Sequence, residues 1–252
     1  MSHRLAASIV ALGGGLVPGV LAGCGAPAAT QDAPPGDVAA NRRDAAVVLD
    51  APDASLVDAS PFDAPPGVPD LQFVAGEMAS TFVVTADPFA ADDCAVAEGC
   101  VGGAGTRILL RFDTVTANRG SGDLVVGVPP PPGESNAVFQ WSPCHMHHHV
   151  ANYASYELID ATGTVLTARK QSFCLEDGEQ VQPGATPTGY SCLDQGISRG
   201  WADVYSRYLP CQWIDVTGLP SGTYTLRIVV NPLHTITESD YDNNVFTASV
   251  QF

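Results

Sequence analysis

Residues 223–230 read Thr-Tyr-Thr-Leu-Arg-Ile-Val-Val. The alternation of polar and apolar residues in this stretch is the clearest indication of the fold class. Successive side chains of a β-strand point to opposite faces, so Tyr224, Leu226 and Ile228 share one face. Thr225 lies on the other face, where a polar side chain can meet water. The stretch therefore predicts a strand with one buried face.

Similar runs recur along the second part of the chain, between clusters of Gly, Pro and Asp. The segment Asp160-Ala-Thr-Gly163 predicts a hairpin turn between two of them. Residues 129–132 are consecutive prolines and predict a loop or an edge, since Pro cannot donate to a ladder. No long segment shows a 3.6-residue apolar period, so the pattern predicts an all-β, β-sandwich-like domain with long loops. The further predicted strands are 107–112, 124–128, 153–159, 164–173 and 246–252.

The stretch 141–149 reads Trp-Ser-Pro-Cys-His-Met-His-His-His and contains four of the six histidines of the chain. In an extended strand, His145, His147 and His149 would share one face. Three neutral imidazoles on one face can bind copper, zinc, iron or nickel, with affinity generally highest for copper. A His-rich polar strand edge is the alternative. The stretch alone predicts a metal ion held by three histidines and does not name a reaction.

The beginning of the chain has the pattern of a targeting segment. Residues 1–23 combine Arg4 with an apolar run, as in a secretory signal peptide. The sequence Leu21-Ala-Gly-Cys24 resembles the lipobox of bacterial lipoproteins, which predicts a lipidated Cys24; cleavage by an ordinary signal peptidase is the alternative. We therefore expect an exported chain, lipid-anchored to the bacterial envelope, with the outer membrane favoured, or extracellular. It would contact the membrane only through the lipid.

Residues 24–68 are rich in Ala, Asp and Pro and poor in apolar side chains, which predicts a disordered linker. The remaining residues, 69–252, have the length of one domain. The formal net charge of −16 argues against nucleic acid as a partner and suits cationic small molecules or lysine-rich proteins. Plain solubility explains the charge equally well.

Six cysteines follow Cys24, and an even number in an exported domain predicts three disulfides, for which fifteen pairings exist. Metal-bound thiolates are the alternative, but no close C-x-x-C pair is present. The six are Cys94, Cys100, Cys144, Cys174, Cys192 and Cys211.

Several motifs surround the histidines in a definite order. They are Pro69-Asp-Leu71, Cys94-x5-Cys100, Lys170-x-Ser-Phe-Cys-Leu-Glu-Asp177, Gln195-Gly-Ile-Ser198, Asp203-x-Tyr205, Cys211-Gln-Trp-Ile-Asp215, Val230-Asn-Pro232 and Glu238-Ser-Asp-Tyr-x-Asn-Asn-Val245. Together with the histidines, this series resembles the catalytic domain of lysyl oxidases. The resemblance covers nearly all of the domain 69–252.

The resemblance implies that His145, His147 and His149 bind copper, and that Lys170 and Tyr205 form the cofactor lysine tyrosylquinone. Tyr205 offers a phenol ring that copper and oxygen can oxidise, and Lys170 offers an amine that cross-links to it. The implied activity is that of a protein-lysine 6-oxidase-like enzyme. With molecular oxygen it oxidises primary amines or the lysyl side chains of proteins to aldehydes, releasing ammonia and hydrogen peroxide. Asp203 is the candidate base, or else a structural acceptor for a ligand histidine.

The C-terminal loop is rich in oxygen ligands of the kind that suit calcium. The resemblance adds Asp70 and the backbone carbonyl of Leu71, and an Asp/Asn turn capping a hairpin is the alternative. The loop residues concerned are Glu238, Asp240, Asn243 and Asn244.

The family resemblance also implies the disulfide pairing Cys94–Cys144, Cys100–Cys211 and Cys174–Cys192.

Other functions compete with this one. A copper-binding cell-surface lipoprotein without oxidase activity is the main alternative, disfavoured because Lys170 and Tyr205 are both present. A β-sandwich adhesion module would bind no metal tightly. A topaquinone-type amine oxidase needs a longer chain and an acidic residue after Asn-Tyr, whereas Ala154 follows Tyr153. A zinc hydrolase is a further possibility, but this chain has no Glu beside the histidines as in an H-E-x-x-H motif.

Overall fold

The described part of this computed structural model comprises residues 67–252 and the backbone of a short strand at 46–48. Residue 172 and the side chains of residues 168–171 lie outside the described residues. So do the predicted signal peptide, the predicted lipidation site Cys24 and the remainder of the linker 24–68. The short strand falls within that linker segment.

Short strands dominate the described residues, and the prediction of an all-β fold is confirmed. The two helices have four residues each, so no helix in this part of the chain is long and apolar enough to cross a membrane. The helices are α1 (Ala75–Met78) and α2 (Cys94–Ala97). The strands are β1 (Ala46–Val48), β2 (Leu71–Phe73), β3 (Val83–Phe89), β4 (Gly105–Arg111), β5 (Thr114–Asn118), β6 (Leu124–Gly127), β7 (Phe139–Ser142), β8 (His147–Val150), β9 (Ala154–Ile159), β10 (Val165–Gln171), β11 (Glu179–Gln180), β12 (Gln195–Ile197), β13 (Trp201–Tyr205), β14 (Trp213–Asp215), β15 (Thr223–Val230) and β16 (Val245–Gln251).

The largest sheet has the antiparallel order β1-β16-β15-β9-β10. The strand predicted from residues 223–230 is its centre, and Leu226 pairs with Ala248 on one side and Leu158 on the other. Its alternate residues are buried, as the alternation predicts. The predicted hairpin joins β9 to β10, and Asp160 closes it by accepting a hydrogen bond from the backbone N–H of Thr164 (2.9 Å).

A second sheet has the order β11-β13-β5-β2 and carries Tyr205 at the end of β13. All five residues of β5 are buried, because strands flank it on both edges and side chains cover both of its faces. Three smaller sheets complete the described residues: β14-β4-β3, β12-β6 and the hairpin β7-β8.

The core lies between the two larger sheets. Leu158, Leu226 and Ile228 of the first belong to the same buried apolar cluster as Val115 and Ala202 of the second. Burial of this apolar surface is the main favourable term in folding, and it holds the layers face to face as in a β-sandwich.

Three disulfides connect the loops, in the pairing that the family resemblance implies: Cys94–Cys144, Cys100–Cys211 and Cys174–Cys192. Two of them attach Cys94, at the start of the short helix α2, and Cys100, three residues after its end, to the rest of the domain. Cys144 immediately precedes the first of the three candidate ligand histidines.

Candidate active site

The histidine-rich stretch forms a hairpin rather than one continuous strand. Strand β8 begins at His147, and His145 lies in the turn before it, so the prediction of a strand through all three histidines is wrong for His145. The turn is closed by Ser142, whose carbonyl accepts from Met146 N–H (2.8 Å) and whose hydroxyl accepts from His145 N–H (3.1 Å). Met146 adopts a φ of 58°, which reverses the chain and brings His145 back over β8.

The turn brings three imidazole nitrogens together. His145 Nδ1 lies 3.3 Å from His149 Nε2, which in turn lies 3.1 Å from His147 Nε2. The three rings are half-buried and offer a ligand set whose nitrogens all lie within 4.8 Å of one another. Such a set of convergent neutral nitrogens fits a copper or zinc ion.

His148 points away from this cluster. Its Nε2 lies 2.9 Å from the backbone carbonyl of Glu134, and its ring packs against Trp141 with the centroids 4.9 Å apart. His148 is therefore a buried structural residue, whereas the other three histidines form the candidate metal centre.

The surroundings of the metal centre favour neutral imidazoles. Desolvation by burial, followed by repulsion from His147 and His145, lowers the pKa of His149 to about 3. Burial, followed by repulsion from His145, also lowers the pKa of His147. Near neutral pH both rings carry the lone pairs that a metal needs.

Tyr205 and Asp203 form a buried polar pair on β13. Both residues are 3% exposed, and the Tyr205 hydroxyl and the Asp203 carboxyl interact with each other. Among the described residues, Tyr205 Oη and Asp203 Oδ2 have no closer hydrogen-bond partner. Burial, followed by the charge of Asp203, raises the pKa of the Tyr205 phenol well above its usual range. Burial likewise raises the pKa of Asp203.

An aromatic contact links Tyr205 to the metal centre. The Phe173 ring lies 4.4 Å from the Tyr205 ring and 5.8 Å from the His149 ring, centroid to centroid. The described hydrogen bonds of His145, His147 and His149 do not include Asp203. The described contacts therefore do not support the role of Asp203 as a hydrogen-bond acceptor for a ligand histidine.

Lys170 lies in β10, where its backbone pairs with Ser155 of β9. Its side chain lies outside the described residues.

The predicted calcium residues meet where β2 lies against the C-terminal loop. Asn243 Nδ2 donates to Asp70 Oδ1 (3.0 Å), and Leu71 N–H donates to Glu238 Oε2 (2.7 Å). Asn244 Nδ2 donates to Glu238 Oε1 (2.8 Å). The side-chain oxygens Asn243 Oδ1 and Asn244 Oδ1 are buried without a partner, as expected for oxygens that could turn toward a cation.

Asp240, the remaining predicted calcium ligand, differs from these. Its side chain is exposed and accepts a hydrogen bond from the backbone N–H of Asp242 (2.8 Å). The described contacts thus bring together Asp70, Leu71 (through its N–H), Glu238 and the two asparagines, and do not include Asp240.

Sequence reasoning missed Glu98. Its carboxylate lies 3.5 Å from His145 Nε2 and accepts a hydrogen bond from Ser142 Oγ (2.7 Å). The sequence feature that could have indicated Glu98 is its position between Cys94 and Cys100, because Cys94 is disulfide-bonded to Cys144, the residue before His145.

Comparisons with known proteins place the geometry in context. A family model described as lysyl oxidase matches residues 69–252. The chain is 34% identical to lysyl oxidase homolog 2 of Homo sapiens over 190 residues, which are 70% of this chain and 24% of that protein. It is also 34% identical to lysyl oxidase homolog 1 of Homo sapiens over 199 residues, 73% of this chain and 33% of that protein. The chain thus matches about a quarter to a third of the length of these relatives.

Proposed function

This chain belongs to the lysyl oxidase family, and we propose that it is a copper-dependent amine oxidase acting on primary amines, including lysyl side chains of proteins. His145, His147 and His149 would hold the copper ion, and Lys170 and Tyr205 would provide lysine tyrosylquinone. Bound copper and the quinone supply the redox chemistry by which a primary amine, dioxygen and water give an aldehyde, ammonia and hydrogen peroxide.

One observation carries the proposal. Three convergent imidazole nitrogens lie one aromatic ring away from a buried tyrosine whose hydroxyl faces a buried carboxyl group, that of Asp203. A solely structural metal site would not require this phenol–carboxyl pair beside it, because burying polar groups costs free energy. A reactive role for Tyr205 accounts for that cost.

The chain's own groups would position the reactants and handle protons. The half-buried imidazoles of His147 and His149 stay neutral near neutral pH and offer their lone pairs to the metal. Phe173 fixes the Tyr205 ring and helps to exclude water from it. The Asp203 carboxyl lies on the same strand and interacts with the Tyr205 hydroxyl, and burial raises its pKa, so it is placed to accept a proton near Tyr205.

The oxygen-rich cluster of Asp70, Leu71, Glu238, Asp240, Asn243 and Asn244 is proposed as a structural calcium site. It joins the first strand of the domain to its last loop, since Leu71 and Asp70 both bond to that loop. Calcium there would stabilise the fold without taking part in the oxidation.

Export is part of the proposal. Three disulfides support an oxidising compartment outside the cytosol. The lipid anchor at Cys24 in a bacterial envelope remains a prediction from the sequence.

The test uses the full chain, loaded with Cu(II) in air and supplied with a primary alkylamine or a lysine-containing peptide. Peroxidase-coupled detection of hydrogen peroxide reports turnover. We expect peroxide from the wild type and from Tyr224→Phe, which removes a different buried phenol hydroxyl, and none from Tyr205→Phe. Copper-loaded wild type that releases no peroxide with any amine tested would instead favour a copper-binding protein without oxidase activity.

A further inference from the structure

The two nitrogens of the His145 ring have different surroundings. Nδ1 points into the candidate metal centre, 3.3 Å from His149 Nε2. Nε2 is buried without a hydrogen-bond partner and lies 3.5 Å from Glu98 Oε2. The imidazole is thus placed between the metal centre on one edge and a carboxylate on the other.

A neutral imidazole that binds a metal through one nitrogen carries its proton on the other, and an acceptor for that proton fixes the tautomer and the ring orientation. We propose that Glu98 is a positioning residue of the copper centre. Its carboxylate accepts the Nε2–H of His145 and so directs the Nδ1 lone pair to the metal. The inference rests on the proposed copper site. A movement of roughly half an ångström brings the Glu98–His145 pair within N–H···O hydrogen-bonding range.

The fold fixes Glu98 at this position. Glu98 follows α2 as its C-cap, between Cys94 and Cys100, and both cysteines are disulfide-bonded. The partner of Cys94 is Cys144, so one disulfide joins α2 directly to the residue before His145. At its other end the helix is capped by Asp93, which accepts from Ala95 N–H (2.7 Å).

Ser142 provides a second connection within the same turn. Its hydroxyl donates to Glu98 Oε1 (2.7 Å) and accepts from the backbone N–H of His145 (3.1 Å). One hydroxyl therefore orients the carboxylate and the backbone of the ligand together. The Glu98 and His145 side chains are only 23% and 13% exposed, so water competes weakly for their interaction.

Glu98 is placed to support a ligand rather than to act as one. The convergent metal-binding atoms are those of the three histidines. Glu98 also lies near Cys100 and Cys211, but both sulfurs are committed to a disulfide and offer no thiolate. Its carboxylate faces the edge of the His145 ring that points away from the other two imidazoles.

The test compares the full chain as wild type, Glu98→Gln, Glu98→Ala and the control Glu134→Gln. The control removes an exposed carboxylate beside the same hairpin, where the backbone of Glu134 contacts His148. Cu(II) dissociation constants come from competition with a chelator of known affinity. Long-range ¹H–¹⁵N NMR of the Zn(II)-loaded chain reports which nitrogen of His145 carries the proton.

We expect the wild-type His145 to be protonated at Nε2 and bound to zinc through Nδ1. Glu98→Ala should raise the Cu(II) dissociation constant by about 10–100-fold, the usual cost of removing such a partner. The Glu134→Gln value should stay within about twofold of the wild type. Glu98→Gln keeps the size of the side chain. An unchanged far-UV circular dichroism spectrum, together with three intact disulfides, shows that any loss of copper affinity is not due to unfolding.

Two results would overturn the inference alone: copper binding as tight as wild type in both Glu98 variants, or coordination of His145 through Nε2. A wild-type chain that binds no copper would instead overturn the proposed metal centre and this inference with it.

Discussion

The ring of Phe173 packs on the ring of Tyr205 with their centroids 4.4 Å apart. Phe173 also contacts His149, so among the described residues it links the candidate metal centre to the candidate cofactor tyrosine. A side chain that touches both is placed to control how Tyr205 is held relative to the metal.

Replacing Phe173 by Leu should slow peroxide formation by about tenfold or more, because small displacements of reacting groups carry a large cost in rate. Cu(II) affinity should stay within about threefold of the wild type, since the three histidines are retained. Phe82→Leu is the matched control: Phe82 is 8% exposed and Phe173 7%, and Phe82 packs on Phe112 instead. Equal loss of activity in the two variants would show that the effect is general destabilisation.

If the metal centre is as proposed, substitutions of different histidines should change the Cu(II) affinity by different amounts. His147→Ala should lower Cu(II) affinity by at least about a hundredfold, because it leaves two of three nitrogens of the ligand set. His234→Ala should leave the affinity unchanged, since His234 is exposed and stacks on Tyr241 near the C-terminal loop. Calorimetric titration distinguishes the two, and tight stoichiometric copper binding by His147→Ala would contradict the site.

The buried histidines make the metal-free fold sensitive to acid. The pKa of His149 is about 3 in the folded chain and near the ordinary 6.5 when unfolded, so the unfolded chain binds more protons between these values. The free energy of unfolding should therefore rise as the pH increases from about 4 to about 6.5 and then level off. Urea unfolding in the presence of a chelator measures this curve, and His149→Gln should reduce its slope. An identical slope in the two proteins would contradict the prediction.

The oxygen cluster at the C-terminal loop predicts stabilisation by calcium. Millimolar Ca²⁺ should raise the thermal midpoint by several degrees, and the rise should grow with the logarithm of the ratio of cation concentration to dissociation constant. Glu238→Gln should abolish the rise, because Glu238 bonds to Leu71, Asn231 and Asn244 at the centre of the cluster. Asp242→Asn, in the same loop but with an exposed side chain, should keep it. The same midpoint with Ca²⁺ and with a calcium chelator would refute the site.

Much of the fold follows from two-residue alternation, and the exceptions have physical reasons. The strand at residues 223–230 has one buried face, so its alternation predicts both its bounds and its orientation. β5, in contrast, reads Thr-Val-Thr-Ala-Asn, and its polar residues are buried as fully as its apolar ones. Its polar side chains are paired inside the protein rather than exposed to water, as Thr114 and Asn118 show, so a short polar-apolar run gave no prediction of a buried strand.

The candidate site, too, was only partly predictable from the sequence. The spacing of the three histidines predicts a common metal centre, but the local geometry at His145 depends on the positive φ of Met146, which the sequence pattern does not indicate. Glu98 could not be found from spacing either, because a disulfide between residues 50 positions apart brings its helix to the histidines.

The most direct test of the proposed oxidase is peptide mass analysis of the full chain after loading with Cu(II) in air and digestion with a protease. The account predicts one cross-linked species that contains the peptides of Lys170 and Tyr205, stained by a quinone-reactive dye and absent from Tyr205→Phe. Copper-loaded wild type that yields these two peptides separate and unmodified would contradict it.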